Sequence, residues 1–141
     1  MRYQYGEIFK KLGVLGMGRQ GSGWAGFDPN GVLVLMTHQN FYKLDKQTNQ
    51  MYYDAAPVDG LAKSSASAAR SLKMLREYFE PGKPILLPIG AFKDDGGLNP
   101  DGSIRPADFD YATGSVYRAT FREFKYDDGT IICDVIDKFD V

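Results

Sequence analysis

The spacing of apolar residues predicts two helices. Apolar side chains recur at helical spacing in residues 5–12, and Gly13 is a natural end for this short helix. A longer amphipathic helix is predicted over residues 65–79, because its apolar residues fall on one stripe and Pro81-Gly82 follows it. That stripe consists of Ala68, Leu72, Leu75 and Phe79.

Apolar runs predict the strands of a sheet. Residues 32–36 are apolar throughout, which is typical of a buried strand, and residues 51–53 form a short aromatic strand. Residues 37–50, between these two strands, are polar and turn-like. Residues 85–92 indicate a strand that Pro88 interrupts, as expected for an edge strand or a bulge.

A hairpin is the clearest element of the C-terminal half. Residues 115–125 and 130–139 are predicted to be two strands joined around Asp127-Asp128-Gly129. The first strand has two distinct sides, because successive side chains point to opposite faces. We expect Tyr117, Ala119 and Phe121 on one side, and Arg118, Thr120 and Arg122 on the other.

The order of these elements predicts one α+β domain over residues 1–141. We expect two helices and a mainly antiparallel sheet, curved or curled into an open β-barrel. A glycine-rich loop over residues 13–31 and an acidic loop over residues 93–112 are the long connections. With 141 residues, of which 43% are hydrophobic, the chain is large enough to bury a core.

Cysteine content and charge limit the class of protein. Cys133 is the only cysteine, and the longest apolar run is far shorter than the roughly 20 residues that span a bilayer. We therefore expect a cytoplasmic protein with no membrane partner. Residues 1–70 hold eight Lys/Arg and five Asp/Glu, whereas residues 71–141 hold nine and thirteen, and the net charge is −1. A surface that binds nucleic acid must then be local.

The glycine-rich loop contains the first candidate site. Residues 16–21 satisfy the dinucleotide pattern G-x-G-x-x-G, but that site needs a strand before it and a helix after it, and here the order is reversed. We therefore expect no cofactor. The loop is either an ordered surface loop or a clamp in which Arg19 and Gln20 contact bases. Trp24 is either an aromatic face for a base or a core anchor.

Residues for nucleophilic or metal chemistry are few. His38 is the only histidine, and we expect it to cap the end of the strand over residues 32–36. Cys133 lies among apolar residues and is expected to be a buried, inert thiol. One histidine and one cysteine do not make a zinc site, so we expect no metal. Residues 97–108 partly follow the calcium-loop spacing, but a Pro-Asp-Gly turn explains them better.

A small metal-dependent nuclease is one alternative. Asp101, Glu123 and Lys125 fit the outline of a site in which carboxylates hold Mg²⁺ and a lysine helps to activate water. Asp108 or Asp110 can take the place of Asp101. Alternating charge on a solvent-exposed strand also explains Glu123 and Lys125.

Arg118 and Arg122 form the second candidate site for nucleic acid. They lie four residues apart on one predicted strand face. They are either part of a solvated outer face or a stripe that contacts phosphates together with Arg19.

The order of several segments resembles a known family. Gly18-Arg19-Gln20-Gly21 lies between the short helix and the apolar strand, residues 82–86 follow the long helix, and residues 117–121 open the hairpin. This order is similar to that of the N-terminal recognition domain that precedes the HNH nuclease domain in some modification-dependent restriction endonucleases. The likeness spans most of the chain, and the Arg-Gln-Gly loop is its most specific part.

The resemblance implies a PUA-like DNA-recognition domain for duplex DNA with a modified cytosine. Residues 55–63 replace the family's second glycine-rich stretch, and the acidic loop is extra. One histidine cannot supply an HNH segment, so the resemblance implies a recognition domain without its nuclease, or a piece of a longer chain. If the modified base is flipped out of the duplex, aromatic walls would hold it. The candidates for those walls are Trp24, Phe27, Tyr52 and Tyr53.

Two main hypotheses remain open beside the nuclease. A DNA-binding module, with or without a partner nuclease domain, predicts that Arg19, Arg118 and Arg122 cluster on one surface. A protein-interaction or inhibitor domain of a phage or defence system predicts that the acidic loop is the contact surface. The sequence does not indicate an oligomeric state.

Overall fold

The computed structural model describes residues 5–14, 25–55, 66–92, 109–125 and 130–141. The described residues form two helices, one 3₁₀ turn and eight strands. The helices are α1 (Tyr5–Lys11) and α2 (Ala66–Tyr78), and the 3₁₀ turn is Gln39–Phe41. The strands are β1 (Ala25–Phe27), β2 (Leu33–Leu35), β3 (Thr37–His38), β4 (Tyr42–Asp45), β5 (Gln50–Ala55), β6 (Pro84–Phe92), β7 (Phe109–Phe124) and β8 (Ile131–Asp140).

The strands form one curved, unclosed sheet in the order β1-β2-β6-β7-β8-β5-β4, and β3 also pairs with β6. All neighbours are antiparallel except β2 and β3, which run parallel to β6. The α+β fold with a mainly antiparallel, curved sheet and two helices is therefore confirmed. The helices of the described residues are too short and too polar to cross a bilayer.

Both predicted helices are confirmed, and α1 ends as its sequence indicates. Gly13 adopts a φ of 81°, and its N–H donates to the carbonyl of Lys10 at 3.0 Å. The N–H of Val14 donates to the carbonyl of Phe9 at 2.9 Å, which completes a Schellman motif. A Cβ at Gly13 would lie 2.8 Å from the ring of Pro29, so glycine also fits this position by size.

The core lies between the helices and the face of the sheet that carries Phe121, called here the inner face. Phe121 is buried, with its ring centroid 5.9 Å from that of Tyr78 and 5.2 Å from that of Phe79. On α2, Leu72 and Leu75 are buried, as their stripe predicts. The opposite side of β7, called here the outer face, carries Arg118 and Arg122.

A short chain of hydrogen bonds links β4 to β3 and β6. The hydroxyl of Thr37 donates to the carbonyl of Pro88 at 2.9 Å. Its single proton is then used, so the hydroxyl of Tyr42 must be the donor in its 2.6 Å contact with Thr37 Oγ1. These two hydrogen bonds connect β4 to strands that are far from it in the sheet order. Such a contact is possible only because the sheet curves strongly.

One open alternative about the strands is decided by the structure, and two predictions need correction. The strand with Pro88 is central rather than at an edge, because β6 lies between β2 and β7. The predicted bulge is confirmed, since the register shifts between Pro88 and Gly90, where a missing N–H does least harm. Residues 37–50 are not merely turn-like, because they contain β3 and β4. β7 begins at Phe109, so the acidic segment predicted as a loop up to residue 112 ends earlier.

Candidate nucleic-acid interface

The predicted alternation of β7 is confirmed. Ala119 and Phe121 are buried on the inner face, whereas the side chains of Arg118 and Arg122 are 51% and 43% exposed on the outer face. The two arginines follow the period of two that a strand imposes, so both present a guanidinium to solvent from the same side. They are the described part of the candidate interface.

Arg118 has two partners on β8. It lies directly opposite Asp137 in the register, and its Nη1 donates to Asp137 Oδ1 at 2.9 Å. Its guanidinium carbon lies 4.3 Å from the ring centroid of Phe139. The carboxylate and the ring together favour one orientation of a long side chain that would otherwise sample many rotamers.

Arg122 repeats this arrangement with a carboxylate from β8 and a ring from β5. Its Nε donates to Asp134 Oδ1 at 3.1 Å, and its Nη2 contacts the same carboxylate oxygen. Its guanidinium carbon lies 5.0 Å from the ring centroid of Tyr52, which faces Asp134 across the β5–β8 pair. The hydrogen bond to Asp134 raises the pKa of Arg122, so this side chain stays charged at any ordinary pH.

The two groups are called here the Arg–Asp–ring sets. One consists of Arg118, Asp137 and Phe139, and the other of Arg122, Asp134 and Tyr52. A guanidinium has five N–H donors. Among the described residues, the carboxylate bonds of Arg118 use only Nη1, and those of Arg122 use only Nε and Nη2. Each arginine therefore keeps donors for a ligand.

A third carboxylate extends the outer face towards β4. Asp54 Oδ1 lies 3.3 Å from the ammonium of Lys125, and Asp54 Oδ2 lies 3.8 Å from that of Lys43. The ammonium of Lys125 is thus held beside β5 by its contact with Asp54. Since Lys43 pairs with Tyr52 in the β4–β5 register, this group adjoins the second Arg–Asp–ring set.

The outer face is close to electrically neutral. Its cations Arg118, Arg122, Lys43 and Lys125 each lie against an aspartate. Such a face attracts a polyanion only weakly over long distances. Recognition at this face must then depend on contact geometry more than on net charge.

Of the aromatic walls proposed for a flipped base, the three that the structure describes do not come together. Tyr52 lies on the outer face beside Arg122, whereas Tyr53 is fully buried, with its ring centroid 5.1 Å from that of Tyr42. Adjacent residues of a strand point to opposite faces, so these two tyrosines cannot line one pocket. Phe27 packs against Tyr78 at 5.8 Å, in another part of the sheet.

Cys133 behaves as the sequence predicts, whereas His38 caps the 3₁₀ turn after β3 instead of the end of the strand over residues 32–36. His38 is fully buried at the end of β3, and its Nδ1 accepts a hydrogen bond at 3.1 Å from the N–H of Asn40 in the 3₁₀ turn that His38 caps. Burial lowers the pKa of His38 to about 4, so its imidazole is neutral at pH 7. Cys133 is buried, and burial raises the pKa of its thiol, which confirms the prediction of an inert cysteine.

The nuclease residues are described only in part. Asp101 and Asp108 lie outside the described residues, and of Asp110 only the backbone in β7 is described. Glu123 is exposed near the end of β7, and the ammonium of Lys125 contacts Asp54. Within the described ranges, no three His, Cys, Asp or Glu side chains are placed to hold a metal ion.

The loop residues of the candidate interface are also outside the described residues. These are Arg19, Gln20 and Trp24. Their predicted cluster with Arg118 and Arg122 therefore stays a prediction.

Sequence reasoning missed the partners of the two arginines. Asp134, Asp137 and Phe139 were not among the candidate residues. A signal for them exists, because opposite charges on the two strands of one hairpin often face each other. Two register shifts, at Arg118/Ala119 and between Phe121 and Glu123, hide the pairing from a simple alternating count.

Comparisons of this chain with protein-family models, with curated proteins and with solved structures find no match. Its function is therefore inferred from its own residues and their geometry.

Proposed function

We propose that this chain is a DNA-recognition module that binds duplex DNA, with a modified cytosine as the feature it reads, and that it does not itself cut DNA. One observation supports this proposal above the others. Arg118 and Arg122 project from one face of β7, and each is held in place by an aspartate and a ring while it keeps unused N–H donors.

Ordered arginines are suited to reading bases. A guanidinium matches the O6 and N7 acceptors of guanine with two parallel hydrogen bonds. A side chain that is already oriented loses less conformational entropy when it binds. Arg19 and Gln20 in the glycine-rich loop are proposed to supply further base contacts, with Trp24 as an aromatic face.

The neutral outer face has a consequence for binding. Each cation brought to the DNA brings an aspartate with it, so few counterions are released from the DNA. We therefore expect a shallow dependence of the binding constant on salt, below that of a protein that neutralises many phosphates.

Fluorescence anisotropy with three labelled duplexes tests the proposal. The duplexes share one sequence and carry cytosine, 5-methylcytosine or 5-hydroxymethylcytosine. The variants are Arg118→Ala and Arg122→Ala. The matched control is Arg70→Ala, which removes an exposed arginine from α2, on the other side of the sheet.

We expect wild type to prefer one modified duplex and each β7 variant to bind about tenfold more weakly, as for the loss of a bidentate base contact. Arg70→Ala should bind like wild type. Absence of binding to all three duplexes at low salt would remove the proposal. If Arg70→Ala loses as much affinity for the duplexes as Arg118→Ala, the interface lies on α2, where Lys73 and Arg76 are also exposed.

A protein-interaction domain is the second candidate function. Leu44 is 53% exposed on β4, which ends the order of described strands and pairs there with β5 alone. A terminal strand with an exposed apolar residue is a common docking edge for another chain. A DNA titration without binding, together with a stable protein complex that Leu44→Lys abolishes, would favour this function over the first.

A further inference from the structure

The Arg–Asp–ring sets present flat surfaces as well as hydrogen-bond donors. Arg118 lies over the ring of Phe139, and Arg122 over the ring of Tyr52, at 4.3 and 5.0 Å. The two arginine side chains are about half exposed, and neither ring is fully buried. Guanidinium planes and aromatic rings are the groups on which proteins stack nucleic-acid bases.

Stacking of this kind requires unpaired bases. In a duplex the bases cover each other, and only their edges are accessible in the grooves. A ring on a sheet surface can therefore contact a base face only when that base has left the stack.

The spacing of the two sets suits an extended strand. Tyr52 lies opposite Asp134 on β8, and Phe139 lies five residues further along the same strand. The register shift at Arg118/Ala119 reduces this separation to four residue steps, since Asp134 lies opposite Thr120 and Phe139 opposite Val116. At about 3.3 Å per residue, the two rings are roughly 13 Å apart along the strand direction. That is about four times the rise of about 3.4 Å per nucleotide in a duplex strand, so the sets are suited to separate, non-adjacent bases.

The charges of the outer face favour the same ligand. Each cation lies against a carboxylate, which weakens the attraction to the dense phosphates of a duplex. A single strand carries about half the phosphate density of a duplex, so its binding depends less on a net positive surface, and stacking on the π-faces that every base has adds about 1–3 kcal/mol per base.

We infer that the outer face of β7, β8 and β5 binds single-stranded DNA, by stacking unpaired bases on the two Arg–Asp–ring sets. This inference rests on the proposed function in taking DNA as the ligand, and it departs from it in the form of DNA that this face prefers, which is the single strand rather than the duplex. Tyr52 and Phe139 are then ligand-contacting residues, and Asp134 and Asp137 are positioning residues.

Anisotropy titrations of the full chain test the inference. The probes are a labelled thymidine 15-mer, the same strand annealed to its complement, and a uridine 15-mer of RNA. The variants are Tyr52→Leu and Phe139→Leu. The matched control is Phe27→Leu, which removes a 40% exposed ring from β1, outside the outer face.

We expect the single strand to bind at least tenfold more tightly than the duplex, and each outer-face variant to lose about tenfold. Phe27→Leu should retain wild-type affinity. Tyr52→Phe keeps the ring and should bind like wild type. If Tyr52→Leu does not fold, Arg122→Lys tests the same stack, since it keeps the charge but removes the plane.

The outcomes separate this inference from the proposed function. Binding of the duplex as tightly as the single strand, or equal losses in Phe27→Leu and Phe139→Leu, would overturn the inference and leave the DNA-recognition module in place. Tighter binding of the RNA would overturn DNA as the ligand of this face. No binding to either DNA would remove both proposals.

Discussion

The inner and outer faces of β7, β8 and β5 are built from neighbouring residues and yet have opposite chemistry. On the inner face, Phe121 pairs with Cys133, and Cys133 pairs with Tyr53, so one row of side chains crosses three strands. All three are buried. Burial of apolar surface is the main stabilising term in folding, and this row provides it.

On the outer face, a second row crosses the same strands one residue further along. Asp134 pairs with Tyr52 and is bound by Arg122. Arg122 and Asp134 are 43% and 33% exposed, so water screens their attraction. This row contributes little to stability, and its groups are accessible to a ligand.

The comparison shows how a strand divides structure from recognition. Because successive side chains point to opposite sides, the strands of one sheet carry the core on one face and a candidate interface on the other. Changes on the inner face should therefore affect the free energy of unfolding, whereas changes on the outer face should affect binding.

The largest expected effect is that of Phe121→Ala. Phe121 contacts the rings of Tyr78 and Phe79 in the core, and removing it leaves a cavity. We expect the free energy of unfolding to fall by about 3–5 kcal/mol. Urea unfolding of this variant and of Arg122→Ala measures the contrast. If both variants lose the same free energy of unfolding, the two faces do not differ in their contribution to stability.

The next effect is a pH dependence from buried His38. The pKa of His38 is about 4 in the folded chain and 6.5 when unfolded, so between these values only the unfolded state gains the proton. Stability is then complete above pH 6.5 and falls as the pH drops towards 4, by up to about 1.4 kcal/mol per pH unit.

His38→Asn tests this pH dependence, because asparagine keeps an acceptor for the N–H of Asn40 but does not titrate. Urea unfolding of both proteins at pH 7.5, 6.0 and 5.0 gives the comparison. Wild type should lose more stability than the variant between pH 6.0 and 5.0. Parallel curves would show that His38 is not buried as a neutral group.

A smaller effect is expected when the link between β4 and β3 is cut. Tyr42→Phe removes the hydroxyl that donates to Thr37, and we expect a loss of about 1 kcal/mol. Tyr52→Phe on the outer face is the matched control and should change stability by much less. Thermal melts of the two variants compare them directly, and a control that loses as much as Tyr42→Phe would contradict the account.

The smallest effect is the coupling between Arg122 and Asp134. A double-mutant cycle with Arg122→Ala and Asp134→Ala should give a coupling energy of about 0.2–1 kcal/mol, since the pair is partly exposed. Moderate salt should reduce this value further. A coupling well above this range would mean that the outer face, too, is a stabilising element.

Much of the local structure could be predicted from the sequence. Helices α1 and α2, the hairpin of β7 and β8, and the exposure of Arg118 and Arg122 follow from periodicities that neighbouring residues set. The position of β6 in the sheet was left open, because Pro88 fits both an edge strand and a bulge. The structure shows a bulge at this residue, which allows a proline in a central strand. Whether a bulge forms depends on the partner strand, which the sequence near Pro88 does not indicate.

Only one part of the candidate interface could be predicted from the sequence, namely the two arginines of β7. The sequence indicated which side of β7 carries the arginines, but not that Asp134 and Phe139 would hold them. The register shifts in β7–β8 decide those pairings. Tyr52, which is 70 positions from Arg122 in the chain, meets it only because β5 lies next to β8.

The sequence by itself determined what depends on near neighbours: the helical stripe, the alternation of strand faces and the glycine that ends α1. The tertiary structure alone decided the order of the strands, the curvature that brings Tyr42 to Thr37, and the partners of each arginine. The physical reason is that side-chain periodicity is a property of the local backbone, whereas pairing depends on which distant segments share a sheet.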